Sequence, residues 1–102
     1  MADSKVQEQI KVKISPIKMY DVIFFNDDYT PMEFVVRLLT DVFKHDIESA
    51  TAVMMKVHTA GSAVVGTYIY EIADEKKELC LYNAIHNNYP LKVEISESSS
   101  EI

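Results

Sequence analysis

The chain of 102 residues is poor in the residue types that build most small active sites. It has only 2 glycines, Gly61 and Gly66. A phosphate-cradling loop or a dinucleotide fingerprint needs several closely spaced glycines, so both are excluded. The single Cys80 excludes an internal disulfide framework and zinc sites built on paired cysteines. Positive charge is scarce: 10 Lys and Arg against 16 Asp and Glu leave a net charge of −6. Nucleic-acid binding needs clustered Lys and Arg, so this balance argues against that partner. No stretch approaches the ~20 apolar residues of a membrane span. Met1 to Ser15 is polar and of mixed charge, without the apolar run of a signal peptide, so a reduced, cytoplasmic protein is expected.

What is present is an ordinary globular composition, 48% hydrophobic and 25% charged, at single-domain length. Composition divides the chain in three. Residues 1–17, ending at Pro16-Ile17, read as a flexible N-terminal arm; 18–95 form the folded domain; 96–102, SESSSEI, read as a disordered acidic tail.

In the domain, Met19 to Phe25 is rich in β-branched and aromatic residues and predicts a strand. Asn26-Asp27-Asp28-Tyr29 favours a turn, since Asn and Asp side chains bond nearby amides. Thr30-Pro31-Met32-Glu33 predicts a helix start, with Thr30 as cap, Pro31 first in the helix and Glu33 closing a capping box. Apolar residues then recur at Met32, Val35, Val36 and Leu39, with Leu38, Val42 and Phe43 beside them. Asp46 can cap a second helix whose shared face holds Ile47, Ala50, Val53, Met54 and Val57, and Gly61 stops it. Ala63 to Ile72 reads as a strand with a bulge or close approach at Gly66. Asp74 to His86 reads as a helix with Leu79, Tyr82 and Ile85 inward, and Leu91 to Ile95 as a last strand. The order β-α-α-β-α-β predicts an α+β fold: a three-stranded, mostly antiparallel sheet covered on one side by three helices.

The densest polar cluster, Asn26-Asp27-Asp28, sits between a strand and a helix. Two adjacent carboxylates attract a cation, but acidic solvated turns are also common. His45 and His86 read as surface residues, His86 near a helix end where positive charge suits the dipole. His58 lies one turn past Met54 and Met55, at the rim of an apolar face. The histidines lack metal-ligand spacing, no Ser sits in a nucleophile elbow, and Cys80 reads as a core thiol. No metal, cofactor or catalytic residue is expected. A small hydrolase using Asp27, Asp28 and His58 is the alternative from another class.

The run from Met19 to Val35, MYDVIFFNDDYTPMEFV, resembles the ClpS family of adaptors. The resemblance continues through Ala50-Thr51, Met54, Val57-His58, Gly61, Gly66, Glu71 and Ala73. It ends at Tyr89-Pro90-Leu91, where the family has His-Pro-Leu. It implies a non-enzymatic adaptor that binds the free N-terminus of proteins beginning with Phe, Tyr, Trp or Leu. Such adaptors deliver that cargo to a Clp AAA+ unfoldase and its protease. By that resemblance Asn26, Asp27, Asp28 and His58 hold the α-amino group. Phe25, Thr30, Met32, Val35, Met54, Val57 and Leu91 line the pocket for the first side chain, with Met32 as a gate against β-branched residues. Glu71, Asp74 and Lys76 dock on the unfoldase N-terminal domain, although Asp74-Glu75 stands where the family more often has Glu-Thr. The arm engages the unfoldase during handover, and the adaptor acts as a monomer without cofactors. A module that occupies the unfoldase without carrying cargo is the second alternative.

Overall fold

A computed structural model describes residues 16–101. Most of the arm, residues 1–15, and Ile102 lie outside the described residues. The elements run β1 (Lys18–Phe25), α1 (Met32–Asp41), α2 (Ile47–Ala60), β2 (Ser62–Tyr68), α3 (Tyr70–His86) and β3 (Lys92–Glu101). The sheet order is β2-β1-β3, and β1 pairs antiparallel with both neighbours. This is the expected α+β architecture.

β1 takes the centre because its alternate residues Val22 and Phe24 are fully buried. They pack with Ala63 and Val65 of β2, Val93 of β3, and the inner faces of the helices. Phe24 meets Phe43 edge-on, ring centres 5.6 Å apart. Burying a side chain of this size contributes roughly 1.5–3 kcal/mol.

The helix signals are realised with one exception. Asp46 caps α2, its carboxylate accepting from Ser49 N–H at 2.8 Å. Gly61 ends α2 in the left-handed region at φ 92°, where a Cβ would be strained. The exception is α1. Its N-cap is Pro31, which makes no side-chain cap, and Met32 is the first helical residue. The expected capping box is absent because the Thr30 hydroxyl is donated to Asp27 instead, at 2.8 Å.

β2 stops at Tyr68, not Ile72, and α3 starts at Tyr70, not Asp74. Ala73 in that first stretch is fully buried, so packing overrides the β-propensity of Tyr-Ile-Tyr. The expected inner face of α3 is also corrected. Leu79, Tyr82 and Ile85 are 45%, 62% and 73% exposed. Ala73, Cys80 and Ala84 face the core instead, and their small size lets α3 lie close on the sheet. The acidic segment from Ser96 is not a disordered tail as far as Glu101. It extends β3, with Ser96 opposite Asp21 and Glu97 opposite Tyr20. Main-chain pairing to the open side of β1 needs no apolar side chains.

The bulge predicted at Gly66 is present: Val22 pairs with Gly66 but Ile23 with Val64, leaving Val65 as the extra residue. A Cβ on Gly66 would lie 2.6 Å from Tyr68 Cε2, so this is a close approach as well. His45, read from sequence as a surface residue, is half-buried and donates from Nε2 to the Val65 carbonyl at 2.7 Å. That carbonyl only accepts, so Nε2 carries the proton.

Candidate functional site

Two elements converge on one end of the sheet. The β1–α1 loop leaves the sheet at Asn26, whose N–H donates to the Gly61 carbonyl at 2.9 Å. This bond ties the loop to the end of α2, whose last turn carries His58. The loop itself is held by Asp27. Its Oδ1 accepts from Tyr29 N–H at 2.8 Å and Thr30 N–H at 2.7 Å, and its Oδ2 accepts the Thr30 hydroxyl. Partial burial pushes the Asp27 carboxyl up, but the donors from Thr30 and Tyr29 outweigh it and hold it below the ordinary carboxylate value.

Between loop, α1 and α2 lies a recess of about 210 Å³, its open mouth included. Asn26, Thr30, Met32, Val35, Met54, Val57 and His58 line it. Val35, Met54 and Val57 are buried and make the floor. Asn26, Met32 and His58 are exposed at the rim, and Thr30 is half-buried. The result is an apolar hole with an amide residue, Asn26, and an imidazole residue, His58, at its rim. Such a site suits an apolar side chain attached to a polar, donor-rich head.

All seven lining residues are among those singled out from sequence. Four other expected residues are not on the lining. Phe25 alternates with buried Phe24 and so faces away from the helices, where the Lys92 ammonium sits 4.9 Å from its ring centre. Leu91 is buried in the main core. Asp27 stands behind the lining through Thr30, and Asp28 is exposed on the loop. The bonding role of Thr30 was missed, although Asp followed three residues later by Thr is a pattern for such a turn. Among the described residues no group of three or more His, Cys, Asp and Glu could hold a metal.

The residues expected to dock on a partner lie on α3. Glu71 is exposed in its first turn and Asp74 half-exposed one turn on. Lys76 turns inward. Its Nζ donates to the Val42 carbonyl at 2.7 Å and sits 5.2 Å from the Tyr68 ring centre. It thus satisfies a C-terminal carbonyl of α1.

Residues 15–94 match the pattern of the family described as ATP-dependent Clp protease adaptor protein ClpS. The chain belongs to the ClpS family. Members from Burkholderia mallei and Burkholderia thailandensis, each an ATP-dependent Clp protease adapter protein ClpS, are 43% identical to it over 96 residues. Those alignments cover 94% of this chain and 92% of each relative. Among solved structures, Agrobacterium tumefaciens ClpS2 bound to L-phenylalaninamide superposes with a TM-score of 0.77 at 36% identity. That match covers 79% of this chain and 98% of ClpS2. The chain is thus a ClpS-type adaptor of the Clp protease, with the β-α-α-β-α-β fold of its relatives. No helix among the described residues is long and apolar enough to cross a membrane.

Proposed function

We propose that this ClpS-family chain binds the free N-terminus of proteins beginning with Phe, Tyr, Trp or Leu and delivers them to a Clp AAA+ unfoldase and protease. The observation that carries this reading is the apolar recess with an acceptor-bearing rim. The ligand of the related ClpS2, L-phenylalaninamide, joins a phenyl side chain to an α-amine, the same two chemistries the recess offers.

The first side chain enters over Met32 and rests on Val35, Met54 and Val57. Burying it contributes roughly 1.5–3 kcal/mol. The α-ammonium stays at the mouth, within the acidic field of Asp27 and Asp28. Asn26 accepts through its amide oxygen and His58 through a ring nitrogen, which requires a neutral imidazole. Each hydrogen bond to the charged amine adds roughly 1.5–3 kcal/mol. A side chain and these two bonds sum to about 4.5–9 kcal/mol, a range that includes the ~8 kcal/mol of micromolar affinity. In this reading the protein is a carrier that holds the N-terminus and leaves unfolding and cleavage to its partners.

Docking on the unfoldase N-terminal domain falls to the exposed start of α3, with Glu71 and Asp74 as charges. Lys76 contributes by fixing α1 against that helix. The protein works as a cytoplasmic monomer beside its unfoldase.

The test is a peptide series in which only the first residue and its acetylation vary, measured by fluorescence anisotropy. Peptides beginning with Phe or Leu bind, and acetylation abolishes binding. Equal binding of the acetylated peptide refutes amine capture. A degradation assay with the unfoldase, the protease and an N-terminal Phe reporter then tests delivery. Faster reporter loss supports an adaptor, and slower loss supports an inhibitor that occupies the unfoldase.

A further inference from the structure

We propose that the segment Ile10-Lys11-Val12-Lys13-Ile14, just before the described residues, docks on the outer face of α3 of the same molecule. That face contributes no residue to the lining of the recess, so the proposal does not depend on amine capture.

The outer face of α3 is apolar and uncovered. Ile72, Leu79 and Tyr82 are 38%, 45% and 62% exposed. Their spacing of seven and then three residues puts them on one side of the helix. An exposed apolar stripe rimmed by polar groups marks an interaction surface. Here the rim carries one sign of charge. Glu71, Glu75 and Glu78 are exposed on the same side. Lys76 turns inward to the Val42 carbonyl, and Lys77 falls on the opposite side of the helix. At the far end His86 stands edge-on to Tyr82, ring centres 4.2 Å apart, and steadies that ring. The occupant such a face fits is apolar and cationic.

The segment has that chemistry. Ile10, Val12 and Ile14 alternate with Lys11 and Lys13. Extended, it presents three apolar side chains to one side. The long lysine stems bend back to the glutamates while the apolar side rests on the stripe. The lengths agree as well. At ~3.3 Å per residue, Ile10 to Ile14 spans about 13 Å. At ~1.5 Å per residue along α3, Leu79 lies about 10 Å and Tyr82 about 15 Å from Ile72.

The chain also delivers the segment to the right place. Ser15-Pro16-Ile17 joins it to β1. Near the start of β1, Tyr20 packs edge-on against Tyr70, the first residue of α3, with ring centres 5.2 Å apart. A chain that turns back at Pro16 therefore meets the first turn of α3 within a few residues. So short a tether sets an effective concentration on the order of millimolar, and a contact too weak to join separate molecules suffices. Docked, the segment covers a stripe that otherwise invites other chains.

The experiment is NMR on the full-length protein labelled with carbon-13 and nitrogen-15. Methyl groups of Ile10, Val12 and Ile14 show NOEs to Leu79 and Tyr82. Ile10→Ser, Val12→Ser and Ile14→Ser combined shift the amide signals of residues 71–82 and leave those of β1 in place. Leu79→Ser, at an exposed position, weakens the NOEs to Tyr82. Lys11→Glu with Lys13→Glu lowers all these intensities about threefold, on the scale of two exposed ion pairs. Absence of the NOEs, with the α3 amides unmoved by the serine variant, overturns the proposal. NOEs found only between differently labelled molecules in a mixed sample also overturn it, and give the face to a second copy of the chain.

Discussion

Met32→Ala is the most informative single change, because it separates selectivity from stability. Met32 is the first residue of α1 and is 42% exposed, outside the buried core. Truncation there leaves a good helix former in place, so folding should shift by less than about 0.5 kcal/mol. The same side chain borders the recess opposite the buried floor of Val35, Met54 and Val57. If Met32 is a gate, a β-branched first residue, which carries an extra group close to its backbone, should collide with this wall in wild type. A steric clash of this kind costs about 1–3 kcal/mol, or ~5- to 150-fold in affinity. Removing the Met32 thioether relieves it. A Phe side chain meanwhile loses contact with a half-exposed methylene and sulfur, about 1 kcal/mol or ~5-fold. The two effects act in opposite directions, so the Phe-to-Ile affinity ratio should fall at least tenfold. Fluorescence anisotropy with peptides differing only in Phe, Leu, Ile or Val at the first position reads this directly, and a melting curve controls for folding. A Phe-to-Ile ratio unchanged within twofold would show that Met32 is not the gate.

Three further outcomes are expected. Gly66→Ala places a Cβ 2.6 Å from Tyr68 Cε2, so the ring must shift, at about 1–3 kcal/mol. Urea denaturation should show this cost in wild type and its disappearance in a Tyr68→Ala background, and an equal cost in both refutes the clash. Asp27 has a lowered folded-state value, so its contribution to stability is present above the unfolded carboxylate value and lost as pH falls through the folded one. Asp27→Asn should therefore flatten the acid side of a stability–pH curve without changing its slope above neutral pH. Burial pushes the Cys80 thiol up to about 12, with Lys76 opposing weakly, so a thiol reagent at pH 8 should label it only upon unfolding. Rapid labelling of the native protein contradicts its burial.

Local signals with a local mechanism were readable from the residues alone. Asp46 caps α2 because a carboxylate at that place reaches an amide three residues on. Gly61 ends α2 because the left-handed turn there strains any Cβ. The seven lining residues were also legible, though through family resemblance, since spacing alone left Asn26-Asp27-Asp28 as an acidic turn. The misreadings share a different cause. The run Tyr68-Ile69-Tyr70 is β-prone by composition, yet the burial of Ala73 draws Tyr70 into a helix. Leu79, Tyr82 and Ile85 are large and apolar, yet the close sheet behind α3 admits only Ala73, Cys80 and Ala84.

By itself, then, the sequence determined the element order, both ends of α2 and the absence of glycine-loop or paired-cysteine chemistry. These depend on contacts within a few residues, or on residue types the chain does not contain. Only the tertiary structure decided which face of α3 is buried, that β3 continues to Glu101, and that His45 pins the bulge at Val65. It also decided that Phe25 turns away from the recess while Thr30 stands between Asp27 and its interior. Each of these depends on the space left by a neighbour distant in the chain, or on which of several donors reaches an acceptor first.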